Sequence, residues 1–354
     1  MYDAPYELGS AADGYPVRIR ARGRSVLSNP MLNRGTAFTP EQRQLLGLQG
    51  LLPSGVTTLE GQLRRVYAQY RRQPDDLAKN VLLANMRDRN EVLFYRLLAE
   101  HLEEMLPIVY TPTVGEAIER YSHEYRRPRG VFLDVNHPEN VEESLRNYGL
   151  EGDDVDLLVA TDSEGILGIG DQGVGGIDAD RHLYPVRRIY RGHRATDGID
   201  GGWPVIMPLS NPTSKAEAVP VDLIRWTDGR ALVATGSPFL PVSYGGRTYT
   251  IAQANNALVF PGLGLGVAVV RARRVDDAMI AAAADAVAAL ADTTGPAGAL
   301  LPPVTDLRTV SAAVAIAVAQ AAAEHGLAEQ PLTNPVKQIH QAMWRPEYPP
   351  FELI

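Results

Sequence analysis

The sequence has no cysteine among its 354 residues, which excludes a disulfide framework, a thiol nucleophile, cysteine-ligated zinc and cysteine-ligated iron–sulfur clusters. Lysine is nearly missing: only Lys79, Lys215 and Lys337 occur, so any lysine-based chemistry has three candidates. Basic charge is also short, with 34 Lys and Arg against 42 Asp and Glu for a net charge of -8. That balance argues against general attraction to nucleic acid or anionic membrane. No apolar run reaches the roughly 18 residues that a membrane span needs. The stretch up to Arg24 has acids where a signal peptide has positive charge, and no apolar h-region follows, so a cytoplasmic protein is expected. The seven histidines form no i, i+4 pair and converge with no carboxylates, so no metal site is assigned.

What is present is a chain that is 45% hydrophobic, long enough for about two domains. Residues 1–38 lack periodicity and read as an N-terminal arm. From Pro40 to Glu104 apolar residues recur at three and four, which predicts three or four amphipathic helices. Short apolar runs at 105–110, 130–135, 155–162 and 166–170 then read as strands. Residues 178–203 read as an irregular Arg-rich junction. Beyond it, 205–209 and 231–235 read as buried strands, and 274–292 and 306–324 as alanine-rich helices. The fold class is therefore α/β.

Four segments carry candidate chemistry. In residues 106–117 a strand is expected to end at Tyr110, with Thr113 and Glu116 forming a capping box for the next helix. A helix N-terminus suits a substrate carboxylate, and a phenol beside it suits proton transfer; a core tyrosine with a locally satisfied hydroxyl fits the same residues. In residues 207–218 Asn211 sits at a strand's carboxyl end, where ligands of open α/β sheets bind, and Ser214 with Glu217 reads as a second capping box. Asn-Pro is equally a turn signal. The Gly236-Ser237 turn lets a backbone approach a ligand closely, or simply ends a strand. Asn255 and Asn256, before a glycine-laced apolar stretch, suggest a polar floor.

Two other signals carry less. Residues 168–173 satisfy G-x-G-x-x-G but lack the following amphipathic helix and the later acid, so a dinucleotide fingerprint is rejected. Arg181, Arg187, Arg188, Arg191 and Arg194, interleaved with Tyr184 and Tyr190, read as a solvated linker rather than a phosphate contact.

The wording of these segments resembles malic enzymes: LNRGTAFT at 32–39, GLLP at 50–53, RDRNE at 87–91, LPIVYTPTVGEA at 106–117, ILGIGDQG at 166–173, LSNPTSK at 209–215 and NNALVFPG at 255–262. The resemblance implies a substrate domain over 39–177 and part of an NAD(P)-binding domain over 204–354. The implied architecture is a helical N-terminal region, a substrate-binding α/β part and the late part of an incomplete Rossmann-type domain. It implies oxidative decarboxylation of malate to pyruvate and CO2, with NAD or NADP and Mg2+ or Mn2+ as cofactors. Tyr110 would protonate the enol intermediate; Asn211 and Asn256 would hold the substrate; Gly236, Ser237 and Asn255 would face the cofactor.

The departures are as specific. After residue 177 the family continues into a helix bearing its catalytic lysine, whereas this chain reads DADRH. Gly165 stands where the family has a substrate-gripping arginine. The segments supplying the metal's carboxylates and the true glycine fingerprint have no counterpart, as though about a domain's worth of sequence were missing between 177 and 204. The expectation is a malic-enzyme-type chain that is impaired or inactive. Alternatives are a non-catalytic remnant associating with an intact relative, a small-acid binding module, or malolactic activity. The expected partners are malate or pyruvate and a homo-oligomer or intact relative, with neither nucleic acid nor membrane.

Overall fold

The computed structural model describes residues 6–8, 16–124, 130–149, 204–210, 213, 216–291 and 297–354. They fall into two compact units, one built from the described residues up to 149 with 344–354, the other from 204–343.

The first unit follows the helical periodicity. Helices α2 (Pro40–Leu45), α3 (Leu59–Tyr70), α4 (Asp76–Arg89) and α5 (Glu91–Glu100) each start at a polar cap. Thr39, Thr58, Asp75 and Asn90 accept from the backbone N–H of Gln42, Gly61, Ala78 and Leu93, satisfying donors that a helix start leaves open. Leu63, Tyr70, Leu83, Met86, Leu93, Phe94 and Leu97 form the core between them. Arg43 on α2 is buried, and its guanidinium donates to the carbonyls of Phe38, Thr36, Pro53, Ser54 and Gly55. One side chain thus fixes the loop between α2 and α3.

Three readings are corrected here. Residues 105–110 are not a strand: Leu102–Val109 is helix α6, followed by α7 (Thr113–Glu119). Met105, Ile108 and Val109 are all buried; their i, i+3, i+4 spacing is that of one helical face. Residues 130–135 form no strand, and Leu133 and Val135 are exposed; a short helix α8 (Val141–Asn147) lies beyond them. Nor is the start of the chain a loose lead-in. Strands β1 (Tyr6–Leu8) and β2 (Val17–Ile19) pair antiparallel, and the short helix α1 (Arg24–Ser28) follows. The last strand of the chain, β8 (Phe351–Leu353), adds parallel to β2, with Val17 opposite Phe351. Val17, Ile19, Val26, Leu32, Phe38 and Leu46 form a small core beneath this sheet.

The second unit contains a three-stranded parallel sheet in the order β3 (Val205–Ile206), β4 (Leu232–Thr235), β7 (Ala252–Gln253). Helix α9 (Pro220–Trp226) connects β3 to β4, and its Leu223 and Ile224 pack with Ala231 and Val233. The hairpin β5 (Val242–Tyr244) and β6 (Arg247–Tyr249) sits between β4 and β7. A helical layer follows: α10 (Phe260–Val270), α11 (Asp277–Ala288), α12 (Leu307–Glu324) and α13 (Pro335–Ala342). The stretch Val304–Glu324 is long and apolar enough to cross a membrane. It packs as a core helix instead, with Val310, Val314, Val318 and Ala322 buried against α10 and α11.

Candidate functional site

In the first unit Tyr110 is the C-terminal cap of α6. Its N–H donates to Leu106 O at 2.9 Å and its carbonyl accepts from Val114 N at 2.9 Å, so the residue joins α6 to α7. It is half-buried. The capping box expected at Thr113 is not formed. Helix α7 starts at Thr113 itself, Pro112 is its N-cap without a side-chain bond, Thr113 is buried, and Glu116 pairs with Arg120 at 3.0 Å. Tyr110 thus lies just before a helix start, as expected, but after a helix rather than a strand.

In the second unit the carboxyl ends of three parallel strands lie side by side, which is where open α/β sheets bind ligands. After β4, Thr235 and Ser237 are buried and Thr235 Oγ1 donates to Ser237 O at 2.7 Å. Gly236 N–H reaches Pro208 O beyond β3 at 3.1 Å, and Gln253 Nε2 on β7 donates to Gly236 O at 3.3 Å. The Gly236-Ser237 turn is therefore stitched to both neighbouring strands. Following β7, Asn255 is buried and its Oδ1 accepts from Ala257 N at 2.9 Å, capping the single turn Asn256–Leu258. Asn256 stands half-buried on that turn. Gly236, Ser237, Asn255 and Asn256 are thus brought together at one edge.

Ser214 lies outside the described residues, and Glu217, its supposed capping partner, is otherwise engaged. Glu217 accepts from Ser210 Oγ at 2.7 Å and Ser210 N at 3.2 Å, and the Ser210 hydroxyl holds the carboxyl below its ordinary range. The next α-helix among the described residues starts at Pro220. Asn211, Lys215, the 166–173 segment and Arg181 to Arg194 also lie outside the described residues. Thr235 and Gln253 went unread in the sequence because their role comes from strand neighbours far along the chain.

A dinucleotide pyrophosphate needs glycines with open space toward it. In α10 a Cβ on Gly262 would stand 2.6 Å from Val314 Cβ, and one on Gly266 2.7 Å from Ala315 O. These glycines admit α12. Among the described residues no group of three His, Asp or Glu could hold a metal ion. An open apolar depression of about 530 Å3 lies between Val219–Val221 and Pro238–Ser243, but none of the candidate site residues lines it.

Residues 87–180 match the family model "Malic enzyme, N-terminal domain", and residues 194–323 match "Malic enzyme, NAD binding domain". NAD-dependent malic enzyme 3 of Bacillus subtilis is 34% identical over 555 aligned positions, covering 96% of this chain and 98% of that protein. The NAD-dependent malic enzyme of Sodalis glossinidius is 30% identical, covering 94% and 97%. An alignment of 555 positions exceeds a chain of 354 residues by 201, so at least that many positions face a gap in this chain. A crystal structure of malic enzyme from Pyrococcus horikoshii matches with 29% identity and a TM-score of 0.33, over 40% of this chain and 29% of that one. The matches in both halves, and the end-to-end alignment with the Bacillus protein, place this chain in the malic enzyme family.

Proposed function

We propose that the chain retains the acid-binding side of malic-enzyme chemistry and does not complete its redox side. Relatives named NAD-dependent malic enzymes support oxidative decarboxylation of malate as the family-level reaction. The observation carrying the retained part is the strand-end cluster of Ser237, Asn255 and Asn256. Amide donors and acceptors there suit the carboxylate and keto oxygens of a small acid. In the family's closing step the phenol O–H of Tyr110 would give its proton to the enol carbon, forming the methyl group of pyruvate, while the enol hydroxyl loses its proton to water as it becomes the keto oxygen and solvent reprotonates the phenolate.

Among the described residues the redox side finds no donor set. A divalent ion would need carboxylates that the described residues do not assemble, and a dinucleotide would need a phosphate loop that Gly262 and Gly266 do not provide. The family's lysine also has no counterpart after residue 177. We place the alignment gap in the cofactor domain ahead of β3.

The test is malate-dependent reduction of NAD and NADP by the purified chain with Mn2+, beside calorimetric titration with pyruvate. The expected result is no turnover above background, with pyruvate binding that Asn256→Ala weakens about tenfold, or ~1.4 kcal/mol. Sustained turnover would overturn the impairment. Absence of pyruvate binding would overturn the retained site.

A further inference from the structure

The last turn of α6 leaves its final carbonyls without intrahelical donors. For Ile108 the residue four positions on is Pro112, which has no N–H to give. Asn80, buried on α4, fills that gap: its Nδ2 donates to Ile108 O at 2.8 Å. Tyr110 follows two residues later, with its own N–H bonded to Leu106 O and its carbonyl to Val114 N.

We propose that Asn80 is a positioning residue for Tyr110, fixing the end of α6 through the one carbonyl that the local sequence cannot satisfy and so setting where the Tyr110 phenol stands. The proposal rests on the reading of Tyr110 as facing the substrate. Asn80 acts through the backbone of α6 and not on the substrate itself. A carboxamide is the suitable group because it reaches from a neighbouring helix with a donor. Without it a buried carbonyl loses a partner, and the hinge between α6 and α7 is free to settle elsewhere.

The test uses the full chain carrying 3-fluorotyrosine, with the Tyr110 fluorine resonance assigned by its loss in Tyr110→Phe. Asn80→Leu keeps the volume, and Asn80→Asp keeps the shape but cannot donate as a carboxylate. Both are expected to move the Tyr110 resonance and to leave those of Tyr348 and Tyr67 in place. A lower melting temperature with an unmoved Tyr110 resonance would reduce Asn80 to a packing role and overturn the proposal, as would a shift shared by all three tyrosines. If neither variant folds, hydrogen exchange on the unsubstituted chain decides: a slowly exchanging Asn80 carboxamide proton supports the bond to Ile108, and fast exchange overturns it. Failure of pyruvate to shift the Tyr110 resonance in the unsubstituted chain would sink the substrate-facing reading instead, and the ligand-free shift in the Asn80 variants would still decide the positioning role.

Discussion

The hydroxyl of Tyr348 donates to Gln62 Oε1 at 2.8 Å, joining residues 286 positions apart, and accepts from Asn90 Nδ2 at 2.7 Å. Gln62 in turn donates from Nε2 to Arg34 O at 2.9 Å. The buried Arg34 guanidinium lies over the rings of Phe38, Tyr348 and Phe351 and donates to Pro349 O; burial pushes its pKa down to about 10. The final residues thus complete the core of the first unit. Replacing Tyr348 with Phe keeps the ring under Arg34 and strands Gln62 and Asn90. The expected cost is about 1–3 kcal/mol, read as an earlier unfolding transition in urea. An unchanged transition would show the hydroxyl network to be dispensable.

That network explains what could and could not be read along the chain. The helices between Pro40 and Glu104 were legible because their buried residues repeat locally at helical spacing. The role of residues 1–38 was not, since β2 finds its partner β8 only at the far end of the sequence. Residues 105–110 misled because Ile108, Val109 and Tyr110 favour strands and Pro107 disfavours helix interiors, yet burial of one helical face prevailed. At the candidate site the strand ends at Gly236 and Asn255 were visible as breaks in apolar runs. The stitching of Thr235, Gln253 and Pro208 was not, because register between parallel strands is a tertiary property. The motif rule also failed locally at Thr113, where Glu116 found Arg120 rather than a capping role.

Three glycines of α10 make a controlled comparison. A Cβ at Gly262 or Gly266 would collide with Val314, Val318 and backbone oxygens of α12, whereas a Cβ at Gly264 meets nothing within 4 Å. Gly262→Ala and Gly266→Ala should each destabilise the second unit by about 1–3 kcal/mol. Gly264→Ala should be neutral or stabilise by up to ~1 kcal/mol, because alanine is the better helix former. Melting temperatures of the three variants check this. Equal effects at all three positions would mean that α10 and α12 are not closely packed.

Acid should loosen the second unit through Asp276. Its carboxylate caps α11 by accepting from Met279 N and pairs with His325 Nδ1 at 2.8 Å. The His325 hydrogen bond, followed by those from the backbone, holds its pKa below the ordinary 3.8. A carboxyl depressed in the folded state contributes stability that is fully present above its unfolded value and is lost as pH falls through the folded one. Asp276→Asn keeps a capping acceptor but does not titrate. Between about pH 5 and pH 3 the unsubstituted chain should therefore lose more thermal stability than Asp276→Asn. Parallel curves for the two proteins would remove Asp276 as a source of the acid limb.

Cofactor binding separates the proposed impairment from a concealed but intact site. A ligand that binds only the folded state raises its stability by RT ln(1 + [L]/Kd), about 2.7 kcal/mol when present at 100 times Kd. A working dinucleotide domain should thus respond visibly to saturating NAD. Under the proposed loss of the redox side no phosphate-binding segment remains, and Gly262 and Gly266 are committed to helix packing. NAD and NADP at millimolar concentration should therefore leave the melting temperature unchanged, with or without Mn2+. Pyruvate should raise it, since Asn255, Asn256 and Ser237 remain at the strand ends, and Asn256→Ala should diminish that rise. A shift with NAD alone would mean that a phosphate cradle forms elsewhere in the chain, and the proposed loss of redox function would then have to rest on the missing lysine.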